Sequence, residues 1–319
     1  MVKRLELEAL KADLAAVEDL LSERSQAEDP SGWLQYSQRK AELEKEISAL
    51  SGINSTEAEV ALFFGGRPVF GSRAISSEFS SKALAAFQNL VSKRYAAPSS
   101  ATLGARGRIP QKNQSSLMIT DIVRGSFGFV LSEMNQDQDL VDSKLKETVS
   151  EVSALLFHLC AEDAASLDVA LDQLDSRILS EIKQFFQILS DGGATLRLVE
   201  GDAEYLFPGE ALQRGRERVE KMDITEDDNL EMDGLLYVLP SLQRFELIAA
   251  DKQAGVLHGN IADEAFAFML DADGFVRRDF IGNTVHARLS RRLIKEHGET
   301  VHTVYTLRGL GELRVESPP

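Results

Sequence analysis

Five histidines and one cysteine are the side chains best suited to hold a metal or to act as base and nucleophile. His158, His258, His286, His297 and His302 include no pair four residues apart, the spacing that sets two ligands on one helix face. Cys160 stands alone, which rules out a multi-cysteine zinc site and any intrachain disulfide. Asp271-Ala272-Asp273-Gly274 has the opening of a calcium loop. However, Phe275 takes the place of a third oxygen ligand and no glutamate closes the loop. Neither a metal nor a cofactor is expected.

Nucleotide and acyl chemistry find no stronger support. The chain lacks both the P-loop pattern and a glycine fingerprint between a strand and a helix. Leu103-Gly104-Ala105-Arg106-Gly107-Arg108 is basic and glycine-containing, and its backbone N–H groups and two guanidinium groups suit a phosphate. Pro110 follows it, and no helix opens there. Ser126 in Gly125-Ser126-Phe127-Gly128 runs into a strand, so it is not a nucleophile elbow. His158 and Cys160 lie two apart on a predicted helix and point to different faces.

Charge is the more informative feature. The formal net charge is −16, which repels nucleic acid and anionic lipid unless a local basic patch intervenes. Two such patches exist. Segment 93–112 holds Lys93, Arg94, Arg106, Arg108 and Lys112 with no acid. Segment 277–295 holds Arg277, Arg278, Arg288, Arg291, Arg292 and Lys295 against Asp279 alone. Residues 200–233 are the opposite extreme, with twelve acids against four bases. Segregated charge favours electrostatic docking between subunits or to a partner; it also makes phosphate-contacting surfaces, or pairs within the fold. Asp121 is the remaining polar candidate. Its parity groups it with Leu117, Ile119 and Val123 on what reads as the inner face of a strand, with Arg124 near in sequence.

The elements that must position these residues follow from periodicity. Residues 1–52 read as an antiparallel helical hairpin, with helices over about 3–24 and 33–50. Leu7, Leu10, Leu14, Val17 and Leu21 form one narrow apolar seam. Trp33, Tyr36, Leu43, Ile47 and Leu50 form the other, interrupted by Lys40, and Asp29, Pro30 and Gly32 supply the turn between them. Such a coiled-coil-like pair is marginal alone, so it is expected to self-associate or to pack on the body of the protein.

Residues 57–192 read as ββαββαα: an antiparallel sheet covered by helices, with Gly65-Gly66 as a hairpin turn and 96–116 as a long loop. Residues 195–319 read as a β-rich module of short strands with turns between them, a small barrel or a sandwich. The fold class is therefore α+β. No apolar run approaches 18 residues and the N-terminus is charged throughout, so a cytoplasmic protein without a membrane partner is expected. The function expected is a non-enzymatic, self-associating adaptor that binds a protein partner through its C-terminal module. The alternative is a nucleic-acid-binding accessory protein using 93–112 and 277–295. A third reading is an enzyme centred on Asp121 and the 96–116 loop.

Overall fold

The computed structural model describes residues 3–51, 56–97, 113–123, 127–134 and 141–311. The chain forms two compact units. The first takes the described residues of 1–95, 111–160 and 184–216, and the second those of 96–110, 161–183 and 217–319.

The first unit opens with the helical hairpin, α1 (Lys3–Ser22) and α2 (Pro30–Ser51). Helix α2 starts three residues before its seam begins, because Asp29 caps it. Its Oδ1 accepts from the Gly32 N–H at 2.9 Å, and Pro30 fills the first helical position, where no N–H is required. Lys40, the polar interruption of the seam, reaches across the hairpin to Glu18 Oε1 at 2.7 Å and so marks the register of the two helices. At its base the hairpin is fastened to a sheet. Leu5 packs on Ala61, Phe63, Val130 and Val199, and Arg4 bonds the Glu204 carboxylate at 2.5 Å.

That sheet is antiparallel and five-stranded, in the order β4-β5-β1-β6-β7. Its strands are β1 (Glu59–Gly66), β4 (Met118–Val123), β5 (Phe127–Ser132), β6 (Ala194–Glu200) and β7 (Ala203–Phe207). Central β1 is apolar on both faces, and Val60 through Phe64 are all buried. On one face Phe64 meets Phe79 of α3 (Ser77–Ala96) edge-on, with ring centroids 5.3 Å apart. On the other face Phe63 lies where a Cβ at Gly128 would run into its ring, so only glycine fits there. Helix α4 (Lys144–Cys160) crosses β6 and β7. Helix α6 (Ser176–Gly192) feeds β6 through Gly193, at φ 61°, a left-handed glycine at the helix end.

Two readings differ from this arrangement. Gly65 and Gly66 do not turn the chain into a hairpin; they continue β1 opposite Thr195 and Ala194. The short β2 (Val69–Phe70) pairs instead with β3 (Ala74–Ile75). The glycines answer a close approach, since a Cβ at Gly66 would strike the Gly193 carbonyl. Strands β6 and β7, which the sequence groups with the C-terminal module, belong to the central sheet because β1 needs an apolar neighbour on each side.

The second unit contains α5 (Ala164–Gln173), and α7 (Gly209–Lys221) leads into a closed barrel. The barrel strands are β8 (Met222–Leu239), β9 (Arg244–Ala249), β10 (Val256–Ile261), β11 (Asn283–Glu296) and β12 (Glu299–Leu310). Helix α8 (Asp263–Met269) joins β10 to β11 and seats Ala265 and Met269 in the barrel core. Around the ring the order is β8-β9-β10-β12-β11, and only the β10–β12 pairing is parallel. A five-stranded barrel in which the third and fifth strands pair in parallel, with a helix between the third and fourth, has the topology of the OB fold. Leu236, Phe245, Leu247, Leu257, Leu289 and Leu307 fill it.

Candidate functional site

The two oppositely charged segments meet in one ladder. Strand β8 carries the end of the acidic run and β11 most of the basic one. Their antiparallel register sets Asp223 opposite Lys295, Glu226 opposite Arg292, Asp227 opposite Arg291, Glu231 opposite Arg288 and Asp233 opposite His286. Cross-strand pairs of opposite charge stabilise a ladder, whereas like charges directly opposite destabilise it.

The contacts are specific. Arg291 reaches Asp227 at 3.3 Å. Arg292 donates to the Leu174 and Asp172 carbonyls at the C-terminal end of α5. Glu226 accepts from the Ser176 N–H at 3.0 Å, at the start of α6. His286 Nδ1 lies 2.6 Å from Asp233 and Nε2 3.5 Å from Glu231, and the hydrogen bond to Asp233 holds the imidazole pKa above its ordinary 6.5.

Of the other phosphate candidates, Arg277 is bound to Asp279 at 2.5 Å. Arg278 is exposed, and exposed Arg288 lays its guanidinium over Gly309. Arg106, Arg108, Lys112 and Arg124 lie outside the described residues. The register thus spends most of the 277–295 island on internal pairing.

Asp121 is exposed and does not share a face with Ile119. Thr120 is an extra residue between the pairs Ile119–Leu131 and Asp121–Val130, and this bulge breaks the alternation that placed Asp121 with Ile119. Because β4 is also an edge strand, Asp121 is exposed, and its Oδ1 accepts from the Ile122 N–H at 2.7 Å.

The barrel exterior holds a surface that pattern reading missed. Register aligns Leu235, Ile248 and Val256 in one outward row across β8, β9 and β10. Tyr237, Glu246 and His258 form the next row, and Leu239, Arg244 and Asn260 the third. Tyr237 is 43% exposed, Val256 47% and Leu239 56%. Leu242, in the short turn between β8 and β9, is 66% exposed. Exposed apolar side chains grouped on a barrel exterior make this face a candidate for interaction. The signal was the alternation of β8, in which Leu235, Tyr237 and Leu239 occupy positions that a solvated strand would give to polar residues.

The hairpin seam is also only partly covered. Leu7, Leu10, Leu14, Val17 and Leu21 are all half-buried, as are Trp33, Tyr36, Ile47 and Leu50; Leu43 alone is fully buried.

One acidic recess lies in the first unit, where Glu200 of β6 faces Asp142, Lys146, Glu147, Ser150 and Glu151. Burial pushes the Glu200 carboxyl up, against the pull of its hydrogen bond with Ser150. Among the described residues no three histidine, cysteine, aspartate or glutamate side chains converge as a metal site. Among them, too, no helix is long and apolar enough to cross a membrane. No family model, no curated protein and no solved structure matches the chain.

Proposed function

We propose that the protein is a non-enzymatic adaptor that self-associates through its helical hairpin and binds a protein partner on the outer face of β8–β9–β10. The observation that carries this reading is the exposed apolar grid of Leu235, Tyr237, Leu239, Ile248 and Val256 on a barrel whose interior is already filled. The half-buried seam of the hairpin supports the self-association: a second hairpin laid against it would complete a four-helix packing. Replacing Leu10 and Leu14 with glutamate lowers the solution mass of the full chain by at least half; an unchanged mass refutes the self-association.

The OB topology favours a second reading, since OB barrels take oligonucleotides on the corresponding face. A fold alone does not assign a ligand, and the side chains decide between the two. Tyr237 and the imidazole of His258 are the only two rings of the three rows, and Arg244, the one arginine in them, pairs with Asp172 at 3.2 Å. Base stacking and phosphate contact therefore have little to act through. Single-stranded DNA or RNA shifted in a gel at low salt, and released by Arg291→Glu with Arg292→Glu, would reverse this preference.

A further inference from the structure

We propose that the outer edge of β4 pairs with the β4 of a second copy of this chain, antiparallel, with Ile119 opposite Ile122 and Met118 opposite Val123. Among the described residues no strand pairs with the outer edge of β4, which ends the sheet. An open edge offers a row of unpaired backbone groups, and proteins ordinarily guard it with charge or proline. Here Asp121 is the single charge in Met118-Ile119-Thr120-Asp121-Ile122-Val123. Met118 is 54% exposed, Ile119 56% and Ile122 51%.

The sequence of the strand selects the occupant. Its pattern, two apolar, two polar, two apolar, reads the same in both directions, as a two-fold antiparallel pairing requires. In an unbulged strand Ile119 and Ile122 would point to opposite faces and could not sit opposite one another. The bulge at Thr120 removes that conflict. Ile119 pairs with Leu131 and Ile122 with Phe129, which are two apart on β5, so both isoleucines share one face of the sheet. Met118 and Val123 share the other, opposite Ser132 and Gly128. A second copy in this register therefore matches apolar to apolar on both faces, and sets each Asp121 against a threonine instead of another aspartate. Two five-stranded sheets would become one of ten strands. This contact is separate from the hairpin.

The test uses full-length Ile119→Cys and Ile122→Cys, each made singly. Opposed residues in an antiparallel pair lie about 4.5–5.5 Å apart at Cα, within disulfide reach. Under mild oxidation an equal mixture of the two variants gives a covalent dimer, while either variant alone gives little; buried Cys160 does not contribute. No dimer from the mixture, or as much from each variant alone, overturns the pairing. The same cross-link forms when Leu10→Glu and Leu14→Glu are added to both variants. Its loss there would tie the contact to the hairpin and overturn an independent edge interface. A hairpin variant of unchanged mass that still cross-links would instead refute the hairpin reading alone.

Discussion

The central sheet and the barrel are both antiparallel in their long pairings, yet they fix register by different means. In the central sheet β1 is buried on both faces, so a slip of one residue would exchange the Phe64 pocket under α3 for the Phe63 site over Gly128. Along β8 and β11 charge is added to packing: base faces acid at Asp223–Lys295, Glu226–Arg292, Asp227–Arg291 and Glu231–Arg288, with apolar pairs such as Ile224–Ile294 and Leu230–Leu289 between them. The difference shows in what each leaves exposed among the described residues. The sheet is covered on its faces and presents an edge, whereas the barrel has no edge and presents a face.

Substitutions sharpen that contrast, beginning with the largest effect. Phe64→Ala removes a ring packed against Phe79 and Phe129 and destabilises the first unit by about 3–5 kcal/mol, read by urea unfolding. Gly128→Ala forces Phe63 aside and is expected to destabilise by roughly 1–3 kcal/mol; a neutral result would mean that the back face of the sheet is loosely packed. Arg291→Asp opposite Asp227 acts on a pair more than a third exposed, so its effect stays below about 1 kcal/mol. Adding Asp227→Arg to that variant recovers most of the loss if charge sets the register, and none of it if packing does.

His286 gives the smallest effect and a pH dependence. Its folded pKa is raised, chiefly by the hydrogen bond to Asp233, so the protonated ring stabilises the ladder. That contribution is complete below the unfolded value near 6.5 and disappears as the pH rises through the higher folded value. The melting temperatures of wild type and His286→Gln should therefore differ more at about pH 5.5 than at about pH 8.5. A gap that widens toward alkaline pH would contradict the assignment.

Local signals were the legible ones. The seams of α1 and α2 and the turn between them depend on neighbours within a few residues, and periodicity and turn chemistry exposed them. What depended on distant partners stayed hidden. The pairing of the acidic run with the basic island joins segments some 60 residues apart, and read separately the two left docking, phosphate contact and pairing within the fold all open. The closure of the barrel rests on the parallel β10–β12 pairing, which no turn residue announces. Parity failed at Asp121 because a single bulged threonine shifts every later side chain to the other face. The apolar grid of the barrel exterior needed three strands in register before it became visible.

Self-association through the hairpin is the central claim, and the mass of the full chain in solution tests it most directly. Substitution serves better than truncation, because removing the hairpin would also uncover the sheet face on which Leu5 sits. Sedimentation of wild type should give an assembly of two or more chains that Leu10→Glu with Leu14→Glu reduces by at least half, with the rest of the fold intact. A wild-type monomer, or equal masses for the two proteins, would contradict the account.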